Sequence, residues 1–245
     1  MIDHIIKSYD SELDRLTSEI VGMGEHASKQ IHAAIDVVER RDERAARRVV
    51  DNDEAIDAME HAISQDVVRL LALRAPMARD LRAVFAALRI AADIERIGDY
   101  AANVATRAIA LSMVAPVAPA RGLRRLAELA QASVDEVLAA YRNLDAERAF
   151  KVWQDDARLD EAYTALFREL LTYMMEDPRA ITSCTHLLFM AKNLERIGDH
   201  ATNIAENIWF VVHGAALDAP RDSRDATANP DWPQLGRAPS GEAGQ

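Results

Sequence analysis

Very little in this chain can crosslink, kink or flatten it. Among 245 residues there is one cysteine, Cys184, so no disulfide can form within the chain and a reducing compartment is the simpler setting. No neighbouring residue marks Cys184 as a catalytic thiol, and it reads as a small buried hydrophobe. Aromatic residues make up 5% and glycines number only 9, a poor supply for sheets that rely on aromatic and β-branched pairs. Of the 8 prolines, those up to residue 213 stand only at 76, 116, 119 and 178, as punctuation between long helical stretches. No apolar run is long enough to span a bilayer. The longest uncharged stretch, Ala108 to Ala120, has 13 residues and holds two of those prolines. The opening residues Met1-Ile2-Asp3-His4 lack the basic-then-apolar pattern of a secretory signal. The chain is therefore expected to be cytoplasmic.

What remains is rich in alanine, leucine and arginine, a mixture that favours helix. With 49% apolar residues a packed core is well supplied. The net charge of −11 argues against nucleic acid as a partner and suits a protein that collects cations. Apolar spacing and the prolines predict six helices, over about 5–40, 43–73, 77–113, 121–143, 146–174 and 179–212. Leu81, Val84, Phe85, Leu88, Ala91 and Ile94 recur at helical intervals as one expected buried stripe; Leu159, Tyr163, Leu166, Phe167 and Leu170 form another. Residues 214–245 hold four of the prolines and little that packs, and are expected to be disordered.

One pentapeptide occurs twice. Glu95-Arg96-Ile97-Gly98-Asp99 returns as Glu195-Arg196-Ile197-Gly198-Asp199, and Ala101, Asn103 and Ala105 return as Ala201, Asn203 and Ala205, all at an offset of 100 residues. A repeat of that length means two copies of one structural unit. Short connections make successive helices antiparallel neighbours. The expected fold is all-α: two tandem three-helix bundles over 1–113 and 121–213, joined by a linker at 114–120 and related by a pseudo-twofold axis.

Four acidic pairs share an i, i+4 spacing: Asp53 and Asp57, Glu95 and Asp99, Asp156 and Asp160, Glu195 and Asp199. Each pair lies on one helix face, where like charges destabilise the helix by roughly 0.2–0.5 kcal/mol. Residues level with one another in an antiparallel hairpin share a constant sum of residue numbers. That sum is 152 for Asp53 with Asp99 and for Asp57 with Glu95, and 355 for Asp156 with Asp199 and for Asp160 with Glu195. The two mirror points fall on Pro76 and on the Asp177-Pro178 junction, the turns that the prolines mark. Each half thus gathers four carboxylates at one level, ~28 Å from its turn at 1.5 Å per residue.

Two readings follow. Arginines such as Arg96 and Arg196 neutralise these faces as solvated ion pairs, or divalent or trivalent cations sit between the carboxylates. All-oxygen ligands favour Mg, Ca, Mn or iron over thiolate-bound zinc. Asn103 and Asn203 lie one turn on and could offer an amide oxygen, or serve as ordinary helix-surface residues. His26, His61 and His200 fall near the quartets and read as surface or satisfied histidines. Gly98 and Gly198 sit mid-helix at a cost of about 1 kcal/mol each, which admits close helix packing or room for a metal cluster.

The doubled Glu-Arg-Ile-Gly-Asp, the Asp-x-x-x-Asp pairs and the run Arg74-Ala75-Pro76-Met77-Ala78-Arg79-Asp80-Leu81-Arg82 together resemble the PhoU family, over residues 1 to about 213. The resemblance implies two three-helix bundles and multinuclear metal clusters, of iron, Mg, Mn or a similar ion. Its metal motifs fall on Asp53, Asp57, Glu95 and Asp99, then on Asp156, Asp160, Glu195 and Asp199. It further implies a non-enzymatic, often dimeric regulator that associates with the phosphate ABC transporter ATPase and a phosphate-sensing histidine kinase, reaching the membrane through those partners. One departure is visible: the second half replaces the first-half turn by Met174-Met175-Glu176-Asp177-Pro178-Arg179. The alternative is a carboxylate-bridged di-metal enzyme, but no Glu is followed three residues later by His, and such enzymes use that spacing. A third reading is a helical scaffold without metal.

Overall fold

A computed structural model describes residues 2–74 and 76–218. The helices are α1 (Ile2–Arg40), α2 (Glu43–Asp51), α3 (Asp53–Arg74), α4 (Ala78–Ser112), α5 (Gly122–Asn143), α6 (Ala146–Glu176) and α7 (Ile181–His213), with 3-10 turns at Ala118–Arg121 and Pro178–Ala180. No strand occurs among the described residues. The expected tail lies, from residue 219 onward, outside them.

The second expected helix is broken. Asp51-Asn52-Asp53 are three poor helix formers in a row, and α2 ends at Asn52, where the Ala55 N–H turns to the Asn52 carbonyl at 3.1 Å. Asn52 keeps near-helical angles (φ −69°, ψ −15°), so α3 continues from α2 with an interruption at one residue.

The two halves start their second helices alike. Arg41 (φ 53°) and Leu144 (φ 48°) take left-handed backbone angles and turn the chain sharply. The next residue caps the following helix: Asp42 accepts from the Ala45 N–H at 3.0 Å and Asp145 from the Arg148 N–H at 3.0 Å. Arg41 also donates to the carbonyls of Leu111 (2.8 Å), Ser112 (2.9 Å) and Val114, satisfying the end of α4.

The halves share one core rather than touching at a linker. Helices α4 and α7 run antiparallel, with Arg107 over the Phe189 ring (4.1 Å), Tyr100 under Arg196 (5.7 Å) and Gly214 beside Arg82. Asp93 sits between them, 2.8 Å from His200 Nδ1 and accepting from Asn203 Nδ2 at 3.3 Å. Helices α1 and α5 pair likewise, through Ser28 with Asp135 (2.6 Å), Arg142 with Glu25 (2.8 Å) and Gly24 against Leu138.

The α6 stripe is as expected, with Leu159, Tyr163, Leu166 and Leu170 buried and Phe167 packed at its edge. The α4 stripe needs correction. Val84, Ala91 and Ile94 are buried, but Leu81 and Phe85 are 45% and 51% exposed. The α4 core face runs instead through Val84, Ala87, Ile90, Ala91, Ile94 and Ile97. Phe85 is turned ~100° from Val84, beyond the arc that neighbouring helices cover, and the Arg89 guanidinium lies over its ring at 5.4 Å.

Candidate functional site

The first acidic nest lies in the groove between α3 and α4. Oxygens of Asp57, Glu95 and Asp99 all fall within 4.8 Å of one another, the one such trio among the described residues. Asp53 stands one turn back along α3 and is partly buried. Gln30, buried on α1, donates from Nε2 to Asp53 Oδ1 at 2.9 Å and to the Gly98 carbonyl at 3.2 Å. One amide from the first helix thus holds both the acidic residue of α3 and the glycine turn of α4.

Gly98 has a local reason. A Cβ there would lie 2.9 Å from Ile56 Cδ1 and 3.1 Å from Asp53 Oδ1. In the second half a Cβ on Gly198 would lie 2.2 Å from Leu159 Cδ2 and 3.0 Å from Asp156 Oδ1. Close helix packing therefore accounts for both glycines, and the space they leave is taken by the neighbouring helix's apolar side chain and carboxylate.

Among the described residues, positive charge meets the first nest at its rim. Arg96, well exposed, reaches Asp99 at 3.0 Å and Glu95 at 3.4 Å. Exposed pairs of this kind contribute roughly 0–1 kcal/mol, so the arginine does little to offset three converging carboxylates. Burial, and then the neighbouring carboxylates, push Asp53 above the ordinary range, against the pull of the Gln30 hydrogen bond. Glu95 is raised by burial and by Asp99, with Arg96 acting the other way. An open cluster of carboxylate oxygens, with no thiolate or imidazole among them, fits a hard cation.

The second nest has a different setting. Asp156, Asp160 and Glu195 are only 5%, 3% and 4% exposed. Lys192 on α7 places its Nζ 2.7 Å from Glu195 Oε1. The remaining candidates stay outside the nests. Asn103 is exposed; His61 Nδ1 lies 3.1 Å from the Asp57 main-chain carbonyl; His200 and Asn203 face Asp93 across the two halves. Gln30 and Lys192 escape a sequence reading. Gln30 lies among the apolar positions of α1 as a polar exception, and Lys192 is visible only against Ala92, its counterpart in the repeat.

A pH test follows from the sign of these shifts. A carboxyl raised in the folded state contributes stability that is fully present below its unfolded pKa, about 3.9 for Asp, and is lost as pH rises through the folded value. In metal-stripped protein, Asp53→Asn is expected to melt above the parent at pH 7.5, with the advantage disappearing by about pH 4. Circular-dichroism melts in EDTA read this directly. A difference that does not change with pH rules out the assigned cause.

Comparison with known proteins places this architecture. The family model described as PhoU domain matches residues 20–108 and again 123–208. The chain is 63% identical over 226 residues to the phosphate-specific transport system accessory protein PhoU homolog of Xylella fastidiosa, covering 92% of this chain and 95% of that one. It is 49% identical to the protein of the same description from Caulobacter vibrioides, covering 92% and 98%. The crystal structure of PhoU from Pseudomonas aeruginosa superposes with a TM-score of 0.81 at 39% identity, covering 84% of this chain and 100% of that one. The phosphate transport system regulatory protein PhoU from Streptococcus pneumoniae gives 0.79 at 28% identity, covering 86% and 100%.

Proposed function

This chain belongs to the PhoU family, and on that premise we propose that it is a regulatory adaptor of phosphate-specific transport. In the cytoplasm it contacts the phosphate ABC transporter ATPase and a phosphate-sensing histidine kinase, and it holds uptake and the starvation response down while phosphate is plentiful. The observation that carries this reading is the doubled PhoU domain, together with 63% identity to a protein named as an accessory of phosphate-specific transport. Relatives are named accessory or regulatory proteins, which supports a role by contact rather than by catalysis. No helix among the described residues is long and apolar enough to cross a membrane.

The reading includes a metal ion, divalent or trivalent, in the first nest. Asp57, Glu95 and Asp99 would hold it, with Asp53 behind them fixed by Gln30. When bound, the cation supplies the positive charge that lets these carboxylates stay deprotonated at close range. The chain's own contribution is to fix the carboxylates on two helices locked together at Gly98, so that the nest is in place before a cation arrives.

Deleting the gene is expected to leave a phosphate-starvation reporter on in phosphate-rich medium. A tagged copy from phosphate-replete cells is expected to retain the transporter ATPase and the sensor kinase. A reporter that still shuts off in the deletion strain overturns the adaptor reading.

A further inference from the structure

The two nests are equivalent by repeat and unlike in surroundings. Residues of α3 map onto α6 at an offset of 103, as Asp53 and Asp57 map onto Asp156 and Asp160; α4 maps onto α7 at 100. Three neighbours of the nests then differ. Ala92, exposed, becomes Lys192, whose ammonium contacts Glu195 at 2.7 Å. Glu60, a further acid whose charge helps to raise Glu95, becomes Tyr163, buried and 5.1 Å from that ammonium. Ser64, which donates to Glu60 at 2.6 Å, becomes Phe167, 6.1 Å from Tyr163 and packed against the core. The rim arginine differs too. Arg96 bridges Glu95 and Asp99, whereas Arg196 lies over Tyr100 of the other half.

Each exchange moves the second nest in one direction. One negative charge is lost, one positive charge is added, and two polar side chains give way to an aromatic pair beside carboxylates that are themselves buried. A buried carboxylate without a charge partner is strongly disfavoured. An ammonium tethered on the same helix three residues before Glu195 meets that need with no loss of translational freedom, which gives it the advantage of a high effective concentration over an ion from solution. Among the described residues the first nest has no such group. Its counterpart position is alanine, its cation is at the rim, and its oxygens stay accessible.

We propose that the two nests draw their positive charge from different sources: an exchangeable metal ion in the first, and Lys192, as a built-in counter-ion to Glu195, in the second, so that only the first half takes up metal. This rests on the metal reading of the first nest for one of its two limbs; the Lys192 limb stands without it. Metal uptake then responds to one site per chain. The second nest serves as a fixed structural copy.

The test uses manganese(II) itself on the full-length, metal-stripped protein, with bound metal counted after equilibrium dialysis and folding checked by far-ultraviolet circular dichroism. The double variant Asp57→Asn/Glu95→Gln is expected to retain less than a tenth of the parent's bound Mn. Retention of about half overturns the asymmetry and leaves the metal reading intact. Lys192→Met is expected to melt about 5 °C below the parent, with bound Mn rising roughly twofold as the vacated nest accepts the ion. Adding Glu195→Gln to Lys192→Met restores the melting temperature, because the charge that needed a partner is gone. If Lys192→Met does not fold, Lys192→Arg, which keeps the charge, is expected to match the parent in melting and in bound Mn. A parent that binds no Mn removes the metal limb and the metal reading together. A Lys192→Met variant with unchanged melting removes the counter-ion limb on its own.

Discussion

Gly198→Val is expected to lower the melting temperature by roughly 6–12 °C, from an overpacking cost of about 3 kcal/mol. A Cβ alone would stand 2.2 Å from Leu159 Cδ2 and 3.0 Å from Asp156 Oδ1. Leu159 is buried and cannot swing into solvent, so α6 and α7 must move apart or the leucine must leave its rotamer. Valine adds two methyl groups and a β-branch to that collision. Alanine at the same position should cost less, since the lost packing is partly offset by about 1 kcal/mol of helix propensity. Pairing Gly198→Ala with Leu159→Ala should return part of the loss by emptying the contested volume. Thermal melts by circular dichroism decide the matter: a Gly198→Val protein within 2 °C of the parent means that the helices do not approach as closely as described.

Trp153→Ala is expected to destabilise by about 3–4 kcal/mol. The indole is 7% exposed, lies near-parallel to Phe150 at 5.8 Å between ring centroids, and donates from Nε1 to Glu206 Oε1 at 3.1 Å. Alanine removes the whole ring and leaves a cavity where α6 meets the last turns of α7. Trp153→Phe keeps most of the apolar area and the stacking while losing only the charge-assisted hydrogen bond, roughly 1.5–3 kcal/mol at most. Urea unfolding should therefore show a large fall in midpoint for alanine and a clearly smaller one for phenylalanine, with slopes unchanged. Equal losses in the two variants would mean that the hydrogen bond, not the buried ring, carries the effect. The position also separates the halves: its counterpart in the first repeat is Val50, so the second bundle closes this end with aromatic bulk and the first with an aliphatic side chain.

Much of the helical outline was legible because long helices write themselves in apolar periodicity and prolines mark their ends. The level rule was equally local: once Pro76 is a turn, Asp53 must stand opposite Asp99. The contact of Gly98 with Asp53 and of Gly198 with Asp156 agrees with that rule. The break at Asn52 is not legible in the sequence, because the apolar pattern continues through it and only the hydrogen bonding changes. Leu81 and Phe85 read as buried from spacing but are exposed, since periodicity gives the direction of a stripe and not the width that neighbouring helices cover. Gln30 was invisible as a partner of Asp53, since α1 is 23 positions earlier in the chain and nothing local joins them.

The repeat, the all-helical character, the turns and the identity of the acidic pairs follow from the sequence by itself, because each depends on spacing along one helix or across one hairpin. Tertiary structure alone decided which carboxylates stay accessible and which are enclosed. That outcome depends on a third helix and on the other half of the molecule: Gln30 arrives from α1 at the first nest, while beside the second Arg196 lies over Tyr100 of the first half and Lys192 pairs with Glu195. Burial and charge pairing are sums over neighbours in space, and two copies of one pentapeptide can meet different neighbours.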